Sequence, residues 1–304
     1  MHEGGVLGLA IILVVLVGPV LLGVTGWVLT RANPAVAAGR TESWTRGRIV
    51  NSAVLYAIAY NLIFFIQELF LVVPKALTPG LRPTLYHNNH SWAGDHPLER
   101  LFQGTGAVAI FATASIAALW LTRSRLNAGP TRLLAIWLAY HGFMQSLPQV
   151  PTGMMDRGTD VGMAMDYLGL DAIAMTALSL AALAAIPLVA FWLAGRMMTL
   201  APVGTEKPGQ RAMFIFRAAV APALIGSLLV VPFRVPASLD AVLISPLMVA
   251  FIGISWMLAT SWRTRTTASG FAGANGRSAY YPAFALAVLL AIFQLVLRPG
   301  IAFY

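Results

Sequence analysis

Eight separate stretches of this chain are apolar over a length that matches a lipid bilayer, and that fixes the solvent in which it folds. A bilayer-crossing helix needs about 20 mostly apolar residues. The runs Val6–Thr30, Ile49–Val73, Gln103–Leu121, Leu133–Val150, Ala172–Ala194, Met213–Val231, Ala241–Trp262 and Ala279–Leu297 are of that order. In lipid every backbone polar group must be satisfied within the protein, so runs this long are helices. The expected fold is an all-α polytopic membrane protein, a bundle of about eight transmembrane helices forming one domain over residues 1–304. Charged residues make up only 10% of the chain, against about a quarter in soluble proteins. The first run is too long for a signal-peptide core and lacks a following small-residue cleavage site, so it reads as a retained span.

Short cytoplasmic loops collect Lys and Arg. The first, third, fifth and seventh connections hold thirteen: Arg31, Arg40, Arg46, Arg48, Arg123, Arg125, Arg132, Arg196, Lys207, Arg211, Arg263, Arg265 and Arg277. The opposite side holds six: Lys75, Arg82, Arg100, Arg157, Arg234 and Arg298. Arg217, just inside the sixth span, snorkels to the richer side. Both termini are therefore expected outside the cytoplasm, in a bacterial-type inner membrane. The net charge of +9 comes from scattered loop residues rather than a basic patch, so no nucleic-acid partner is implied.

The acids and histidines have the opposite bias. Glu42 and Glu206 are cytoplasmic, Glu68 lies inside the second span, and the remaining acids are outward or at the outer boundary. All histidines but His141 lie in outward segments. Two outward connections, 74–102 and 151–171, are expected to be structured. The first carries His87, His90 and His96 together with prolines and aromatics, a composition unlike disorder, and it should fold over the helix ends. Pro97 suits the first turn of the third span, with Asp95 or His96 as cap. In the second, Thr159 or Asp160 caps a short interfacial helix with Val161, Ala164, Met165 and Leu168 on its apolar face and Asp166 on its polar one.

Polar side chains inside spans mark where a site belongs. Asn61 and Glu68 share a face of the second span beside Gln67, and His141 and Gln145 share a face of the fourth. An ionisable group in lipid is costly, faces the bundle interior and is by default a functional-site hypothesis. Cysteine is absent, which excludes thiolate metal sites, disulfides and covalently attached c-type haem. A metal would need imidazole and carboxylate ligands. His87, His90, His96 and His141, completed by Glu68, Asp160 or Asp166, suit zinc, copper or iron. Ordinary hydrogen bonding is the simpler role for loop histidines. No serine-hydrolase elbow or Walker loop occurs.

Three functions compete. The first is a metal-binding or redox protein with its site at the outer, periplasmic leaflet, Glu68 and His141 being the catalytic candidates; whether it is an enzyme stays open. The second is a non-catalytic subunit of a larger membrane complex. The third is a transporter whose polar pathway runs through Asn61, Glu68, His141 and Gln145. The first requires the imidazoles to converge. The third requires polar contacts to continue inward past His141.

Overall fold

The structure is a computed structural model and describes residues 2–31, 44–124, 129–202, 205, 207–264 and 280–304. Among the described residues, seven helices are long and apolar enough to cross a membrane: α1 (Gly5–Leu29), α2 (Arg46–Ala76), α3 (Glu99–Arg123), α7 (Ala172–Met198), α8 (Gly209–Arg234), α9 (Asp240–Thr260) and α10 (Tyr280–Leu297). This is a multi-pass membrane architecture. The sequence-based fourth span corresponds to α4 (Gly129–Ser146), which is not among the seven because Arg132, His141 and Gln145 lower its apolarity. It also stops short of the expected Val150. A separate helix, α5 (Gln149–Met155), follows, and then α6 (Asp160–Tyr167). Arg40, Glu42, Arg125, Glu206, Arg265, Arg277 and Ala279 lie outside the described residues.

α2 is the hub. It packs against α3, α4 and α8, and its side chains from Asn51 to Ile63 are almost all buried. Small residues set the approach distances. A Cβ at Gly142 would stand 2.6 Å from the Ala114 Cβ and from the Ile110 carbonyl oxygen, so α3 and α4 touch backbone to backbone.

Among the described residues, four helices contain a widened π-type turn: Leu13–Val17, Phe216–Val220, Asp240–Ile244 and Ile292–Leu297. Each turn ends two residues before a proline, namely Pro19, Pro222, Pro246 and Pro299. Proline lacks an N–H and its ring collides with the carbonyl four residues back. The residue just before each proline bonds five residues back instead, as Gly18 does to Leu13 and Ser245 to Asp240.

The 74–102 connection departs from the all-α expectation. It forms a hairpin of β1 (Arg82–Leu85) and β2 (His90–Ala93), joined by a two-residue turn at His87-Asn88. A third strand, β3 (Ile301–Ala302), pairs antiparallel with β1 from beyond α10, giving the order β2-β1-β3. Leu85 pairs with His90 and Pro83 with Trp92, so these four side chains share one face. Leu85 packs with Val72, Phe233, Phe293 and Leu297, which seats the sheet on the ends of α2, α8 and α10. Gly80 and Gly94 adopt left-handed φ values of 91° and 100°. A Cβ on Gly94 would strike the Gly80 carbonyl oxygen, so the hairpin closes only with glycine there.

α6 forms as the sequence implied. Thr159 is its cap, accepting a bond from the Gly162 N–H at 3.3 Å, and Ala164 and Met165 are buried. Leu168, expected on the apolar face, is instead exposed.

Candidate functional site

Two polar centres lie at the hairpin end of the bundle, on adjoining faces of α2. The first is built around an internal lysine. Lys75, in the last turn of α2, is fully buried. Its ammonium reaches the Leu71 carbonyl at 2.8 Å, Gln103 Oε1 at 3.1 Å and His90 Nε2 at 3.4 Å. Those three partners match its three protons. The Trp92 ring covers it at 4.5 Å and stacks on His90 at 5.7 Å. On the far side of the imidazole, His90 Nδ1 lies 2.9 Å from Glu68 Oε2. The carboxylate accepts from the Nδ1 N–H, while Nε2 lies between the Lys75 ammonium and Gln103 Oε1, the latter at 3.1 Å. Lys75, His90 and Glu68 form a continuous chain of proton donors and acceptors.

Further carboxylates surround the chain. Asp160 and Glu99 act electrostatically on Lys75 along with Glu68, and Glu99 accepts from Trp92 Nε1 at 3.2 Å. Burial, reinforced by the Glu68 charge, raises the Asp160 carboxyl above its ordinary range, while His90 and Lys75 oppose the rise. The lysine occupies the position among these side chains that a cation would take. The donor set thus suits an internal ammonium better than a bound divalent ion.

The other imidazoles go elsewhere. His87 Nε2 approaches the Val235 carbonyl at 3.3 Å, and burial lowers its pKa below the ordinary imidazole value. His96 Nδ1 accepts from the Leu98 N–H at 3.2 Å and so caps the entry to α3. His141 is fully buried in α4 against Tyr56, Tyr60 and Tyr140, with ring centroids at 4.3, 5.3 and 5.2 Å. Among the described residues, no three His, Asp or Glu side chains gather as a metal would require. Asp166 pairs with Arg100 at 2.8 Å on the surface, with Arg157 at 3.9 Å. Asn61 is buried and donates to the Ala57 carbonyl of its own helix at 2.8 Å.

The second centre is a chamber of about 250 Å³ between α2, α4, α5, α8 and α9. Its polar wall consists of Tyr60, Gln67, Gln145, Gln149, Arg234 and Ser245. Gln149 Nε2 donates to Gln67 Oε1 at 3.1 Å and to the Gln145 carbonyl at 2.9 Å. Gln145 Nε2 lies 3.5 Å from His141 Nδ1. Below this level the bundle is filled by rings. Tyr56, Trp137 and Tyr140 pack edge to face, Trp137 Nε1 donates to Ser52 Oγ at 3.2 Å, and Ser52 donates to the Ala218 carbonyl at 2.9 Å. All four of those side chains are fully buried. Below the chamber, this layer of closely packed side chains forms an aromatic floor among the described residues.

Arg234, the last residue of α8, is 5% exposed. Its position follows from Pro246. In a regular helix the Ala241 carbonyl would bond to the Ser245 N–H, but that N–H goes to Asp240 across the widened turn. The next candidate, Pro246, has no N–H. Arg234 Nε takes the stranded carbonyl at 3.3 Å, and its guanidinium lies 3.9 Å above the Phe64 ring. Nη1 is buried with no hydrogen-bond partner among the described residues.

Sequence reasoning placed Glu68, His90, Gln67, Gln145 and Asp160 near these centres. It missed Lys75, Gln103, Gln149 and Arg234. The available signal was Lys75 one turn beyond Leu71 and seven residues from Glu68, on the same face of α2. No known protein family, no curated protein and no solved structure matches the chain.

Proposed function

We propose that this is a membrane protein that receives a ligand in the chamber at its hairpin end, from the non-cytoplasmic side of a bacterial-type inner membrane. In this reading the chain crosses the bilayer eight times with both termini outside. α4 counts as the eighth crossing because the surrounding helices shield its polar residues from lipid. The observation that carries the reading is the chamber itself, a cavity in a largely apolar bundle into whose wall three glutamines and a buried arginine are set. Ligand sites are concave, largely apolar and furnished with a few convergent polar groups.

The ring-packed floor favours binding, or chemistry on a bound ligand, over passage through the protein. The lysine-centred network favours a structural or proton-holding role for Glu68 and His90 over metal ligation. Because the chain has no cysteine, single-cysteine variants give a clean test. Ser245→Cys should react with a membrane-impermeant maleimide added to intact cells. Ser124→Cys, at the opposite end of α3, should react only after the membrane is opened. Protection of Ser245→Cys until lysis would reverse the orientation, and no labelling even in detergent would remove the chamber.

A further inference from the structure

We propose that the chamber is an oxyanion site, in which Arg234 binds the phosphate or carboxylate head group of an amphiphile. This rests on the ligand-chamber reading above and specifies what the chamber takes.

A buried guanidinium is costly unless its charge and its N–H groups are answered. Arg234 is answered only in part. Its Nε is held by the Ala241 carbonyl and its face by Phe64, while Nη1 has no partner among the described residues. The ion pairs of the described residues involve His90, Arg100 and Arg157, and none includes Arg234. Positive charge in the chamber wall is therefore left without a counter-charge, and its orientation is fixed in advance. Arginine with a free N–H edge recognises carboxylate and phosphate through charge-assisted hydrogen bonds.

The neighbours fit the same chemistry. Gln67, Gln145, Gln149, Tyr60 and Ser245 bring neutral polar groups to the cavity, and among the described residues its wall contains no Asp or Glu. The remaining lining, including Phe64, Met144, Met248 and Ile252, is apolar. At about 250 Å³ the space falls just below the ~300–1,000 Å³ of sites that enclose a whole drug-sized molecule. A head group with its first few carbons matches that size. Arg234 closes α8 at a helix end, which is where a lipid-like ligand presents its polar atoms.

The test is calorimetric titration of the full chain in a nonionic detergent with octyl phosphate, octanoate, octanol and inorganic phosphate. Octyl phosphate or octanoate should bind saturably and octanol should not. Arg234→Gln should weaken anion binding by roughly 10- to 100-fold, the worth of a hydrogen bond to a charged group. Ser245→Leu, which narrows the cavity and keeps the arginine, should also lose binding, with its melting temperature showing that it is folded. Octyl phosphate binding more tightly than inorganic phosphate supports an amphiphile. Equal affinities support the oxyanion site and assign it to a soluble anion. Equal anion affinity in the wild type and Arg234→Gln overturns the proposal, and so does octanol binding as well as octyl phosphate. If Ser245→Cys labels from outside while no anion binds, the chamber stands and the oxyanion assignment falls.

Discussion

Replacing Lys75 with methionine keeps the length and apolar stem of the side chain and deletes only the ammonium. The charge it balances is well shielded from water, since the Glu68 and His90 side chains are each 8% exposed and Lys75 is 0% exposed. Removing one member of a buried charged group costs about 3–5 kcal/mol, because the charge left behind is uncompensated. Glu68 retains His90 as a partner, which places Lys75→Met at the lower end, about 3 kcal/mol. At about 2–4 °C per kcal/mol, the melting temperature in detergent should fall by roughly 6–12 °C. Tryptophan fluorescence is a suitable readout because Trp92 touches both Lys75 and His90. Adding Glu68→Gln to Lys75→Met removes the stranded charge and should restore at least half of the loss. A single variant melting within 1 °C of the wild type would refute this account of the network, as would a double variant no more stable than the single one (both thresholds being about the scatter expected of a neutral surface change).

Three further outcomes follow from the same geometry. The raised Asp160 carboxyl gives a contribution that is fully present below its ordinary value of 3.8 and lost as pH rises through its elevated folded value. Melting curves of Asp160→Asn should therefore lack the relative stabilisation that the wild type gains on acidification across that window, and parallel pH profiles would contradict it. His87 has the opposite sign: its folded pKa lies below 6.5, so stability present above 6.5 is lost as pH falls towards the lowered value. His87→Gln should flatten the profile between pH 7.5 and 5.5, and an unchanged slope would count against the His87 assignment. Gly94→Ala places a Cβ against the Gly80 carbonyl at a φ of 100°, which should destabilise the hairpin by at least about 1 kcal/mol. Amide exchange at β1 and β2 should accelerate, and unaltered protection would show that the left-handed conformation is not required.

The membrane-spanning helices were legible because length and apolarity suffice to define a span. α6 was legible because Thr159 announces its cap. The hairpin was hidden: Arg-Pro-Thr-Leu and His-Ser-Trp-Ala are short, one contains proline, and the stabilising strand β3 comes from some 200 residues away. That hairpin determines which histidine meets Glu68, so the spacing of His87 and His90 carried no information about their separate destinations. In the sequence Lys75 is one of six basic residues assigned to the outward side, and only the docked Trp92 and Gln103 mark it as internal. Arg234 belongs to the same six. Its role depends on a carbonyl freed by Pro246, an effect of backbone geometry on a neighbouring helix that no side-chain pattern encodes.

The third strand of the small sheet also joins distant parts of the chain. β3 follows the last membrane helix, yet it completes the plate that keeps His90 and Trp92 over a lysine on the second. β3 bonds only to β1, so its support reaches His90 and Trp92 on β2 through the strand between them. The sheet thereby ties residues 301–302 to a lysine of α2 that lies far earlier in the chain.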